Sequence, residues 1–275
     1  MWQDIVANFL IHFSRPPADV SLFIKGFALC CLLKLASELS RGYWHYMDPG
    51  QLLPFQLAGR YHGSWLTRSG LFSSAFYKAT LALALMGLIL LLFGKFQLLA
   101  LAILSGFLYY QNLLNFKYHT CYFALIASAL TVDSAIQAFA GSSEMNWLAP
   151  AMVSTITSAL YIFSAYRKAL EAEFTSGFSV GITLKHLALE GKRRLYRFDN
   201  GLSVLKVNFL GPKAVRYGSV AVIGLELALP ILLYVREFRF LGVVLGVTMH
   251  VVFTLIAPRT LLHFSLLTIL TYSMF

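Results

Sequence analysis

Four stretches of the sequence place ionisable side chains within or beside long apolar runs, where each needs a partner or a purpose. In "YIFSAYRKALEAEF", Tyr161, Ser164, Lys168 and Glu171 recur at helical spacing and share one side. Arg167 stands four residues before Glu171, the spacing of a helical ion pair, and its long stem suits an anchor at the membrane border. Lys168 has two readings. A Lys at the end of an apolar helix ordinarily snorkels to the headgroups. If its face looks into the bundle, loss of water makes the amine a usable base. Glu226 lies deep in "VAVIGLELALPILLYVREF" and calls for a proton, a cation or a hydrogen bond from a neighbouring helix. Pro230, just past it, kinks or breaks the helix and frees a carbonyl near the same depth.

The other two stretches carry histidines. In "REFRFLGVVLGVTMH", Arg239, Gly242, Gly246 and His250 form one stripe of a helix. The two glycines allow close approach by a partner helix or a flat ligand. His250 is either a core His held by a neighbour or a proton-handling group. His263 in "TLLHFS" has the same character. In "NLLNFKYHTCYFALIASALTVDS", His119 opens an apolar helix with Asn115 and Tyr122 on its face, and Asp133 returns to that face close to four turns on. A helix-start His hydrogen-bonded at the interface is the plain alternative.

None of these is a metal motif, because the histidines show no HxxxH or HExxH spacing. No metal is expected. No nucleotide-binding glycine loop and no GxSxG elbow occur. Cys30, Cys31 and Cys121 lie in apolar segments without a CxxC, which makes them packing residues.

These side chains have to be held by helices in a bilayer. The 275 residues are 58% hydrophobic and 12% charged, with a mean hydropathy of +0.70. Soluble domains carry about twice that charged fraction. Apolar runs near the roughly 20 residues needed for a span occur at about 20–37, 75–94, 96–114, 119–140, 147–167, 219–235, 239–257 and 260–275. The fold class expected is an all-α integral membrane protein, a bundle of about eight transmembrane helices in one domain. The start of the chain, with Trp2, Ile5, Phe9, Leu10 and Phe13, fits an amphipathic interfacial helix and makes a poor signal peptide. Residues 38–74, rich in Trp, Tyr, Gly and Pro, read as an interfacial loop region. Residues 168–218 read as a basic extramembrane loop.

The formal net charge is +10, and the basic residues flank the apolar runs. The lipid bilayer is therefore the expected partner, and nucleic acid is not. Between Arg167 and Arg216 there are ten Lys or Arg against four acidic residues. The positive-inside rule puts that loop in the cytoplasm and the N-terminus outside.

Three stretches together resemble the HTTM (horizontally transferred transmembrane) family, whose best-known branch is the vitamin K-dependent γ-glutamyl carboxylases. "HTCYFALIASALTVD" is similar to the family's His-start helix ending in Asp. "YIFSAYRKALEAEFTSGFS" is similar to its aromatic helix ending in a Lys pair. "ELALPILLYVREFRFLGVVLGVTMH" is similar to its acid helix, Arg-x-x-Gly and His-bearing helix. The resemblance covers about 115 to 275, and the first hundred residues match only in hydropathy. It implies a membrane enzyme working with a reduced quinone (a vitamin K hydroquinone-like quinol), O2 and CO2 on a peptide or small substrate. In the carboxylases a Lys deprotonates the quinol, oxygen adds, and the strong base formed removes a glutamate γ-proton, after which carbon dioxide enters. By position, Lys168 would be the quinol base and His119 a stabiliser of the charged substrate, with Tyr161, Glu226, Arg239, His250 and Asp133 around the pocket. The family's Lys pair is Arg167-Lys168 here, so its Lys aligns with Lys168 or with Ala169. Shorter bacterial members have this length, which implies a bacterial inner (plasma) membrane and a role in maturing a secreted peptide. A different class of function stays open: a non-catalytic membrane partner, an immunity-like protein or a transport component.

Overall fold

The computed structural model describes residues 20–40, 73–114, 118–140, 147–178, 212–256 and 258–275. The interfacial helix expected near the N-terminus lies outside these residues, as do most of the 38–74 and 168–218 regions. The described part is helical: α1 (Val20–Leu39), α2 (Ser74–Leu92), α3 (Gln97–Leu114), α4 (Tyr118–Ala140), α5 (Leu148–Leu170), a short α6 (Ala172–Thr175), α7 (Pro212–Tyr234), α8 (Arg239–Ile256) and α9 (Pro258–Thr271). Single 3-10 turns cover Arg236–Phe238 and Tyr272–Met274.

Seven of these helices are long and apolar enough to cross a membrane, and the chain is a multi-pass membrane protein. The eighth apolar segment is the exception to the even spacing expected. At 14 residues, α9 rises only about 21 Å, and its final turn tightens to 3-10 geometry. Two boundaries also moved. α5 runs on through Arg167 and Lys168 to Leu170, and α7 begins at Pro212 rather than near 219. The early start follows from Pro212, whose fixed φ and missing N–H suit a first helical position.

Local chemistry explains the ends that are visible. Ser73 caps α2 by accepting from the Phe76 amide at 3.2 Å. α2 stops at Gly94, which takes the left-handed conformation at φ 65. Lys95 N–H then reaches the Leu90 carbonyl at 2.9 Å and Gly94 N–H reaches Leu91 at 3.0 Å, a glycine-terminated helix end. The turn into α3 exposes Phe93 and Phe96, as rings at a membrane interface do.

The chain divides into two compact units, and the boundary falls inside α5 between Val153 and Ser154. In the N-terminal unit α1 packs on α2, α2 on α3, and α3 along α4. The outward positions of α1 are Leu22, Leu29 and Leu33, while Phe27, Cys31, Lys34 and Leu35 are buried. That is a helical stripe, and it carries a lysine inward. In the C-terminal unit α6 packs on α7, α7 on α8, and α8 on α9. Its core joins Tyr161, Leu229, Leu233, Met249, Tyr272 and Phe275.

Candidate functional site

α5 sorts its residues by face. Phe163, Tyr166, Arg167 and Leu170 point outward, whereas Tyr161 and Ala165 are buried. Arg167 Nε donates to Glu171 Oε1 at 3.1 Å, and both side chains are about half exposed. This is the solvent-side anchor pair that their spacing suggests, worth a few tenths of a kcal/mol at most. The next residue behaves differently. Lys168 turns inward and donates a short hydrogen bond to Glu226 Oε1 on α7, with 23% of its side chain exposed against 4% for Glu226. Ser164, one turn earlier, donates to the same carboxylate oxygen at 3.1 Å. One face of α5 thus supplies both donors to a single oxygen.

The Lys168 ammonium also has aromatic neighbours. The Phe174 ring of α6 lies 5.5 Å from Nζ, and the Phe253 ring of α8 lies 5.6 Å away. Both are at cation–π range. Phe174 gets there because the chain after α6 lies against the first turn of α7. A Cβ on Gly177 would sit 2.9 Å from the Arg216 amide nitrogen, so only glycine allows that approach.

Two turns before Lys168 on α5, Tyr161 joins a second group. Its hydroxyl is 2.8 Å from His250 Nε2 on α8 and makes a short hydrogen bond with the Tyr272 hydroxyl. His250 packs edge-on to Phe253 at 5.8 Å, the ring that also faces Lys168. The two glycines of the α8 stripe have separate tasks. A Cβ on Gly242 would meet Leu232 of α7 at 3.0 Å, so Gly242 lets α7 and α8 close up. A Cβ on Gly246 would lie 2.7 Å from Tyr272 Cζ. The flat group that Gly246 admits is the ring of Tyr272.

Two polar atoms of this cluster are left over. Glu226 Oε2 and His250 Nδ1 are buried and have no hydrogen-bond partner among the described residues. Glu226 is 3% and His250 1% exposed. Orphaned polar atoms at such depth cost free energy, and this pair beside one cation makes the cluster the candidate site. α7 continues as a helix through Pro230. Proline has no N–H for the carbonyl four residues back, which here is the carbonyl of Glu226 itself. The acceptor foreseen near the acid therefore belongs to the same residue.

The remaining sequence candidates have other partners and surroundings. Arg239 Nε donates to the Leu233 carbonyl at 3.2 Å and ties the end of α7 to the start of α8. His119 and Asp133 belong to the N-terminal unit. His119 is the half-buried second residue of α4. Asp133 accepts from Gln137 at 2.7 Å and faces the backbone amide of Ala149 in the first turn of α5, where a carboxylate complements the positive end of a helix. Among the described residues no group of three His, Cys, Asp or Glu could hold a metal ion.

The N-terminal unit contains a polar cluster that the sequence reading passed over. Lys34 is fully buried, donating to Glu38 Oε1 at 2.7 Å and to Gln111 Oε1 at 2.6 Å. Gln111 in turn donates to Glu38 Oε2 at 2.9 Å and lies 3.2 Å from the Tyr77 hydroxyl. The signal was available. Lys34 and Glu38 stand at helical i, i+4 spacing inside an apolar run. Tyr272 was missed for a better reason, since nothing in "LTYSMF" distinguishes it from a packing tyrosine.

Comparison with protein-family models, with curated proteins and with solved structures gives no match.

Proposed function

We propose that this protein is a membrane-embedded enzyme that couples a reduced quinone to the modification of a peptide or small substrate, with Lys168 as its base. One observation carries the reading. Lys168 faces into its helical unit on Glu226, between two phenyl rings, while Glu226 Oε2 and His250 Nδ1 stay buried without partners among the described residues. These features fit a flat aromatic diol. Phe174 and Phe253 offer ring faces, Glu226 an acceptor, and His250 a ring nitrogen. A bound quinol would supply two electrons and acidic hydroxyl groups, and O2 and CO2 would be co-substrates for carboxylation or a related oxidative step.

The chain's own residues divide the labour. Glu226 Oε1 takes one ammonium proton along the hydrogen bond it shares with Lys168, which frees the amine lone pair to accept a hydroxyl proton. Ser164 keeps Oε1 hydrogen-bonded through that exchange. His250 addresses an oxygen of the substrate through Nδ1.

The test is oxygen-dependent consumption of a reduced naphthoquinone by the protein in lipid nanodiscs. Lys168→Ala should abolish it while the protein still shows a cooperative unfolding transition. Consumption at the wild-type rate would sink the assignment.

A second reading has an observation of its own. Lys168 on Glu226 and Tyr161 on His250 satisfy one another across helices, as structural glue in a non-catalytic partner, immunity-like protein or transport component would. That reading expects no quinol consumption by the wild type and a purely structural effect of Lys168→Ala.

A further inference from the structure

The hydroxyl pair at Tyr161 and Tyr272 bears on which nitrogen of His250 carries its proton. A phenol is a better donor than an imidazole N–H, and an imidazole lone pair is a better acceptor than a phenol oxygen. At 2.8 Å, the Tyr161 hydroxyl therefore donates to His250 Nε2. Tyr161 oxygen can then accept from the Tyr272 hydroxyl, and accepting a bond makes Tyr161 a stronger donor. With Nε2 occupied as an acceptor, the proton of the neutral ring sits on Nδ1, since one nitrogen's hydrogen bond fixes the tautomer of the other. Nδ1 is the buried atom that has no partner among the described residues. Gly246 is what lets Tyr272 take part, because a side chain there would occupy the space of its ring.

We infer that Tyr272, acting through Tyr161, is a positioning residue that holds His250 in its Nδ1–H tautomer, so that the site presents a neutral, preset N–H donor to an oxygen of the substrate. The substrate class this selects carries a carbonyl or developing oxyanion at His250 and a hydroxyl donor at Glu226 Oε2. A donor already oriented on a buried ring needs no reorganisation as charge builds on that oxygen. The inference deepens the proposed function and rests on it for there being a substrate. The tautomer itself does not depend on that reading.

The experiment is a long-range proton–nitrogen correlation spectrum of 15N-histidine-labelled protein in nanodiscs, whose pattern separates the two neutral tautomers from imidazolium. His250→Gln identifies the signal among the seven histidines. The wild type should show the Nδ1–H tautomer. Tyr161→Phe should give a mixture of the two. Tyr272→Phe, which removes the hydroxyl bonded to Tyr161 and keeps the ring that packs on His250, should move the Nε2 resonance part of the way toward its Tyr161→Phe position. Gly246→Ala should do the same with both hydroxyls present, and it decides the matter if Tyr272→Phe fails to fold. An Nε2–H tautomer in the wild type overturns the inference. So does a Tyr272→Phe spectrum with His250 at its wild-type positions. Because the spectrum reads no turnover, loss of the quinol assignment and loss of this inference are separate outcomes.

Discussion

Lys34 and Glu38 stand one turn apart on α1, whereas Lys168 and Glu226 meet from different helices 58 residues apart in sequence. The first pair is closed. Both Glu38 oxygens are used, Gln111 bonds to both members, and Tyr77 meets the Gln111 amide. Lys34 has no exposure at all. The second pair is open. Two donors crowd onto Oε1 while Oε2 is left over, and the cation looks onto two phenyl rings. Burial and charge alone do not separate a structural clasp from a working site. The two pairs differ in how many of their atoms are satisfied among the described residues: a complete network rigidifies, and an incomplete one leaves buried acceptors that a ligand, a water or a proton can meet.

The contrast can be broken by removing one cation from each pair. Lys34→Met strands a carboxylate and an amide oxygen against three helices and should cost about 3–5 kcal/mol, read as a lower midpoint in denaturant titrations in mixed micelles. Replacing Lys34, Glu38 and Gln111 together by Met, Leu and Leu should recover most of that loss, because an apolar replacement of a whole buried ion cluster is close to neutral. Gln111→Leu alone should cost about 1–2 kcal/mol in the same titration, near the upper end for interhelical hydrogen bonds in membranes. Lys168→Met leaves Glu226 buried with Ser164 as its donor and should cost about 1–3 kcal/mol, the penalty of a buried acceptor that loses one partner. Quinol consumption should vanish in that variant and persist in the triple replacement. Smallest of all, Ser164→Ala should lower stability by about 0.6 kcal/mol while slowing consumption measurably. If Lys168→Met were the more destabilising change and left consumption intact, the two pairs would have been assigned the wrong way round.

The sequence carried the helices well and the partnerships poorly. Spans 20–37, 96–114 and 119–140 lie within a few residues of α1, α3 and α4 because hydropathy and length decide them. Lys168 and Glu226 were each visible as costly residues, and helical spacing already grouped Tyr161, Ser164 and Lys168 on one face. That Glu226 answers Lys168 is a tertiary fact with no trace in local spacing. Arg239 shows the opposite error of grouping. It lies on the His250 stripe by count, yet its guanidinium turns back to cap Leu233. The Lys34 cluster was legible in part, through its i, i+4 acid. Its third member, Gln111, comes from α3 and could only be seen folded.

The sharpest measurement is where a photoreactive naphthoquinone attaches to the wild-type protein in nanodiscs, with unlabelled naphthoquinone as competitor. Competable label should fall on α5, α7 and α8 at peptides holding Lys168, Glu226 and His250. Competable label around Lys34 and Gln111, or no competable label at all, would contradict the assignment of the open pair as the site.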